Sequence, residues 1–232
     1  MLKLLSVFKL NMTYLISFLI PTLKERTTKF KTLTDKLFLQ IQQNNLEDKI
    51  EVISIYDNRS IKLSLKRNMM QKICSGNYFI HMDDDDAIAD DYCITVIKHI
   101  NALKEQQKDG RVMPDIITYD QQCLVDGCTF IVKTNPNSNM SLNPTGNQFD
   151  NNMKCNGLIP IYERTFWQWH LFQRKKYSHI YRTDSDTNSR EDCNWLKKIW
   201  LEYPKNFYNI DKILHYYYFD SKGVGEDAST CQ

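Results

Sequence analysis

The sequence predicts an α/β fold in which a mainly parallel sheet is covered by helices, and three observations carry that expectation. Short apolar runs at Tyr14–Ile20, Ile50–Ile55 and Tyr78–Met82 alternate with stretches whose apolar residues recur at helical spacing. Beyond residue 105 the alternation stops, and a hairpin pattern centred on Asp126-Gly127 replaces it. No internal repeat or linker divides the chain, so a single domain is expected.

Taken in order, a strand over 13–20 ends at Pro21, and a helix over about 26–43 places Phe30, Leu33, Leu37 and Ile41 on one face. Ile50–Ile55 is a second strand, closed by the turn 56–60. Residues 61–74 read as a helix with Leu65, Met69 and Ile73 inward. Tyr78–Met82 is a third strand, running into Asp83, Asp84, Asp85 and Asp86. Asp90 and Asp91 then cap a helix whose Cys93, Val96, Ile97, Ile100 and Leu103 share a face. This order puts ligands at the carboxyl ends of the strands. In the second half, residues 115–134 form the hairpin and 134–152 a long polar loop. A short strand at 157–162, a helix over 163–172, an acidic loop over 181–192, a helix over 191–203 and a strand over 212–219 complete the chain.

The 232 residues carry a formal net charge of +2, which gives no reason to expect a nucleic-acid partner. The apolar N-terminal segment is broken by Lys3, Lys9 and Asn11, leaving a run too short to span a bilayer; no transmembrane segment is expected. Seven cysteines are scattered without a Cys-x-x-Cys spacing. The Asp126-Gly127 turn sets Cys128 opposite Val125 and Cys123 opposite Phe130, so these two do not pair. Reduced thiols and a cytoplasmic location are the expectation.

Carboxylates at the mouth of a parallel sheet are placed to take a hard divalent cation, Mn2+ or Mg2+, shared with a phosphate. A solvated turn is the bland reading of such a run, and the buried strand just before it favours the site. Asp184–Asn188 imitates the start of a calcium loop, but Ser189 replaces the required glycine and Trp195 the required glutamate. Glu191 and Asp192 open an amphipathic helix, where the helix dipole alone could account for them. Trp167, Trp169 and Phe172 suit either core packing or stacking on a sugar. His215 suits a hydrogen-bonded strand position or an added metal ligand, and His81 packing on the sheet.

The order of the pieces narrows these alternatives. "FLIPTLKERT", "ISIYDNRS", "LKRNMMQKICSGNYFIHMDDDD" and "REDCNWLKKIW" together resemble the family 2 glycosyltransferases of GT-A (Rossmann-like) fold. The resemblance covers residues 13–100 and, more loosely, 155–218. It implies an extension at 1–12, a transferase domain at 13–220 and a tail at 221–232. Within the domain, 13–105 would be the nucleotide-binding half and 106–220 the acceptor-binding half. Pro21, Thr22 and Arg26 would line the nucleotide pocket, Asp57 would accept hydrogen bonds from base or ribose, and Arg67 would approach the base or diphosphate. Asp83 and Asp84 would face the ribose and metal shell, with Asp85, and Asp83 beside it, as metal ligands. Asp192 would be the catalytic base, with Glu191 next to it. The chain departs from the pattern at Asn58-Arg59, where a second Asp and a Gly are common, and in having Asp at all four acidic positions.

The chemistry these residues imply is a single displacement. A cation and an arginine stabilise a departing diphosphate, while one carboxylate takes the proton of an attacking hydroxyl. A glycosidase would instead need two carboxylates flanking the sugar. The expected donor is a nucleotide-diphosphate sugar, UDP-sugar before GDP-sugar, and the acceptor a glycan, lipid or protein. The rivals are a nucleotidyltransferase, which should open with a glycine-rich loop absent here, and a non-catalytic sugar-nucleotide-binding protein.

Overall fold

The computed structural model describes residues 14–135, 159, 161–164, 166–182, 191–202 and 206–219. The expected extension at 1–12, nearly all of the polar loop at 134–152 and the tail at 221–232 lie outside the described residues. The elements are β1 (Ile16–Leu23), α1 (Thr27–Gln43), β2 (Ile50–Asp57), α2 (Leu63–Ile73), β3 (Tyr78–His81), β4 (Ala87–Ile88) and α3 (Tyr92–Lys108). They continue with β5 (Ile116–Val125), β6 (Cys128–Thr134), β7 (Ile161–Arg164), β8 (Leu171–Gln173), α4 (Arg174–Tyr177), α5 (Glu191–Leu201) and β9 (Phe207–Phe219). One mixed sheet joins the described strands in the order β2-β1-β3-β8-β5-β6-β7, with β9 on β5 and β4 on β9. The first three strands run parallel, so their carboxyl ends share one edge. The α/β expectation holds.

A strand buried on both faces reads as a continuous apolar run, and β1 is such a strand. Phe18 and Ile20 point to the layer formed by Leu33, Leu37 and Ile41 of α1 and Val96, Ile97 and Ile100 of α3. Leu19, between them, points to the opposite layer, with Met70 of α2 and Trp195, Leu196 and Ile199 of α5. Gln40 ties the first layer together. Its side-chain nitrogen donates to the Ala89 carbonyl (2.8 Å), and its oxygen accepts from the Cys93 N–H (2.9 Å) at the start of α3. Gly76 lets the chain pass close under β1: a Cβ there would lie 2.7 Å from the Ser17 backbone nitrogen and 2.8 Å from the Ile16 carbonyl carbon.

Helix α2 is rotated from its expected orientation. Leu65, Met69 and Ile73 are exposed, and Ser64, Lys66, Arg67, Met70 and Gln71 are buried instead. Apolar periodicity is overridden because the buried polar groups find partners. Gln71 donates to the carbonyls of Tyr177, Ser178 and Ile180, and Lys66 and Arg67 enter the ion pairs described below.

Residues 163–172 are not the expected helix. The chain leaves β7, turns through 166–170 and enters β8, which pairs antiparallel with both β3 and β5. Its apolar residues fill a gap in the sheet: Phe172 is fully buried and stacks on Phe79, with centroids 5.9 Å apart. The last strand is longer than expected, because residues 207–210 extend the pairing with β5.

The β5–β6 hairpin turns at Asp126 and Gly127, both with positive φ (49° and 80°). Val125 lies opposite Cys128 and Cys123 opposite Phe130, the expected register. Cys123 is buried and is not part of a disulfide, but Cys128 is disulfide-bonded. The expectation of reduced thiols throughout is therefore corrected, and the argument from thiols to a cytoplasmic location goes with it. Among the described residues, no helix is long and apolar enough to cross a membrane.

Candidate functional site

The carboxyl ends of β1, β2 and β3 deliver Thr22, Asp57 and the acidic turn to one edge of the sheet. Four aspartates in sequence cannot all face one another without mutual repulsion, and the turn at 84–85 sorts them alternately. The side chains of Asp84 and Asp86 are 4% and 5% exposed, those of Asp83 and Asp85 36% and 35%.

The inward pair is structural in its contacts. Asp84 accepts from the Thr22 hydroxyl (2.7 Å) and pairs with Arg26 (2.6 Å). Asp86 accepts from the Asp83 N–H (3.0 Å) and lies 3.1 Å from His215 Nε2. Burial raises both carboxyls above the ordinary aspartate value, opposed by Thr22 and Arg26 at Asp84 and by His215 at Asp86. His215 is itself held by Gln121 (2.9 Å) and stacks on Trp169, with ring centroids 4.9 Å apart and planes 3° from parallel.

The outward pair meets cations. Asp85 Oδ2 lies 2.7 Å from the Arg26 guanidinium and 3.6 Å from Lys29 Nζ, so Arg26 bridges Asp84 and Asp85. Asp83 pairs with Arg67 and accepts from the Gln168 amide (3.1 Å). Among the described residues, no three His, Cys, Asp or Glu side chains gather into a ready-made metal cage. Two half-exposed carboxylates still fit a hard divalent cation that completes its shell with phosphate oxygens and water.

Asp57 and Pro21 frame the other side. Asp57 accepts from the Ile61 N–H (2.6 Å) and the Ser60 hydroxyl (3.2 Å) and pairs with buried Lys66, whose Nζ also donates to the Thr22 carbonyl (2.8 Å). Burial pushes Asp57 up, but the bonds from Lys66 and Ile61 outweigh it and hold the carboxyl below its ordinary 3.8. Arg59, at the position where the resembled family commonly has glycine, adopts φ 68° and donates from Nε to Glu25 (2.6 Å). The backbone keeps the left-handed turn that glycine would favour.

The acidic turn reaches the start of α5 through a chain of buried charge. Arg67 pairs with Asp83 on one side and with Glu191 on the other. Glu191 also pairs with Arg182 (2.5 Å), which donates to Gln168 (3.1 Å) and lies 4.4 Å over the Trp195 ring. Both oxygens of Glu191 are thereby engaged within the protein, while Asp192 beside it is half-buried and accepts the Cys193 N–H (2.7 Å). Thr22, Arg26, Asp84 and Asp85 are linked by contacts, as are Asp83, Arg67 and Glu191. Asp57 joins Thr22 through Lys66, and Pro21 and Asp192 flank Thr22 and Glu191 in the chain. Lys66, Gln168 and Arg182 were not singled out by sequence. Lys66 lies on a helix face expected to be solvated, Gln168 in a stretch expected to be helical, and Arg182 in a stretch expected to be a polar loop, which residues 181–182 are.

No protein-family model matches the sequence, and no curated protein matches it at the level of sequence. The fold is similar to that of TarS from S. aureus. TarS 1-349 in complex with UDP-GlcNAc superposes with a TM-score of 0.57 at 16% identity, covering 94% of this chain and 61% of that one. TarS 1-349 in complex with UDP gives 0.53 at 15% identity, over 88% of this chain and 60% of that one. The longer TarS structure gives 0.54 at 15%, and this chain spans 36% of it. At such identities the likeness is one of fold: a Rossmann-like α/β domain. This chain spans at most about three-fifths of the TarS chains it matches.

Proposed function

We propose that the protein is a metal-dependent glycosyltransferase that moves a sugar from a UDP-sugar to an acceptor hydroxyl with inversion. One observation carries the reading. Asp83, one of the two outward aspartates at the carboxyl end of β3, is joined through Arg67 to Glu191, the immediate neighbour of Asp192. The TarS complexes with UDP-GlcNAc and UDP, on a similar fold, support a uridine nucleotide as the donor's carrier.

In this reading Asp85, with Asp83, would hold Mn2+ or Mg2+, which supplies positive charge to the departing diphosphate. Asp57, Pro21 and Thr22 shape the pocket for base and ribose. Arg26, released from Asp85 when that carboxylate takes a cation, turns its charge to the diphosphate. Asp192 accepts the proton of the acceptor hydroxyl as the new oxygen–anomeric carbon bond forms. The bond to the diphosphate breaks on the opposite side, and its electron pair leaves with the diphosphate. Glu191, enclosed by Arg67 and Arg182, positions Asp192 and takes no proton.

The test is thermal shift with a panel of sugar nucleotides, with and without Mn2+, on the wild type and Asp85→Asn. A UDP-sugar should raise the melting temperature only with Mn2+ and only in the wild type. Equal stabilisation of Asp85→Asn would remove Asp85 from the metal, and no stabilisation by any sugar nucleotide would remove the function.

A further inference from the structure

At the end of β3 remote from the acidic turn, the surface opens into a cavity of about 450 Å³. Its wall includes Tyr78, the first residue of β3, together with Met113 and three cationic side chains: Lys104 of α3 and Arg174 and Lys175 of α4. Among the described residues, none of the three pairs with a carboxylate. Of the acids around the cavity, Asp115 pairs with Lys176 and Glu105 with Lys108, while Glu51 is engaged by the Ser17 hydroxyl and the Ser75 and Gly76 N–H groups. Arg174 donates from Nε to the Gly76 carbonyl (2.8 Å), which anchors its stem and fixes its guanidinium at the cavity. Lys104 is half-buried, and burial with the charge of Lys49 pushes its pKa below the ordinary lysine value. An amine so placed lacks an anion.

We propose that this cavity is a second ligand site, for an organic phosphate. Three cations with no acid among them call for a multiply charged anion, and an arginine fork with two lysines suits phosphate. The volume falls in the range of small-molecule sites, about 300–1,000 Å³, and exceeds what phosphate alone would fill. Tyr78 and Met113 give the remainder of the ligand an apolar wall, and Gln173 a hydrogen-bonding one. Five residues of extended chain, roughly 16 Å, separate Tyr78 from Asp83, so one small ligand does not reach both ends of the strand. The phosphate is carried either by a soluble ester or by a lipid headgroup, and the experiment separates the two.

Calorimetric titration of the full chain with phenyl phosphate is run in EDTA, with phenol as the uncharged control. In parallel, the chain is floated with phosphatidylglycerol and with phosphatidylcholine vesicles. Phenyl phosphate should bind and phenol should not, and Lys104→Met/Lys175→Met should weaken binding roughly tenfold or more. Asp85→Asn should leave it unchanged, which separates this site from the acidic turn. Flotation with phosphatidylglycerol alone, lost in the double variant, supports the same site with a lipid source. Binding that survives the double variant, or none to either probe, overturns the proposal.

Discussion

Arg67 holds two carboxylates at once: Asp83 at the end of β3 and Glu191 at the start of α5. One side chain therefore fixes the acidic turn relative to the helix that presents Asp192. The arginine was legible as a candidate ligand for the base or diphosphate, but its burial makes it a strut between the two halves of the site.

Arg67 and Glu191 are each 3% exposed at the side chain. Removing one partner of such a pair leaves a buried charge uncompensated, at a cost of about 3–5 kcal/mol. Arg67→Met should lose stability of that order in urea denaturation. Arg67→Lys should recover only part, because an ammonium lacks the fork that spans two carboxylates. A loss within 1 kcal/mol for Arg67→Met, on the order of a surface substitution, would mean the strut is not formed.

Asp57 gives stability a pH dependence of known sign. Its folded pKa lies below 3.8, so its contribution is complete above the unfolded value and is lost as pH falls through the folded one. The stability gap between wild type and Asp57→Asn should be widest near neutrality and should narrow below 3.8. Urea melts of both proteins across that range check it. A gap that widens on acidification would contradict the Lys66 and Ile61 contacts.

The cysteines divide. In denatured, unreduced protein a thiol reagent should label Cys123 and leave Cys128 unlabelled, and prior reduction should expose Cys128. Labelling of Cys128 without reduction would contradict the disulfide.

Much of the fold was legible because its strands are buried on both faces and its outer helices are amphipathic. The run Ile16–Ile20 and the spacing of Leu33, Leu37 and Ile41 reflect those environments directly. Helix α2 was misoriented because Lys66, Arg67 and Gln71 are buried with partners that lie far away in sequence, and no local pattern reveals such pairing. The stretch 163–172 reads as a helix because an aromatic-rich run fits either period. Its last residues, Leu171 and Phe172, are strand because they fill the gap between β3 and β5. In the site, "DDDD" marked the place but not the alternation, which follows from Thr22, Arg26 and His215 drawing Asp84 and Asp86 inward.

The central claim is that Asp192 is the base of a sugar transfer, and the most direct measurement is turnover and donor affinity on the same Asp192→Asn protein. UDP-GlcNAc, found with TarS, is the first donor to try, with Mn2+ present and UDP release as the signal. The asparagine keeps the shape and removes the basicity. Release should fall by about 10²–10⁴-fold, while the dissociation constant for the donor stays within a small factor of the wild type. Near-normal release by Asp192→Asn would contradict the account, and donor binding lost together with turnover would make Asp192 a structural or metal-linked residue.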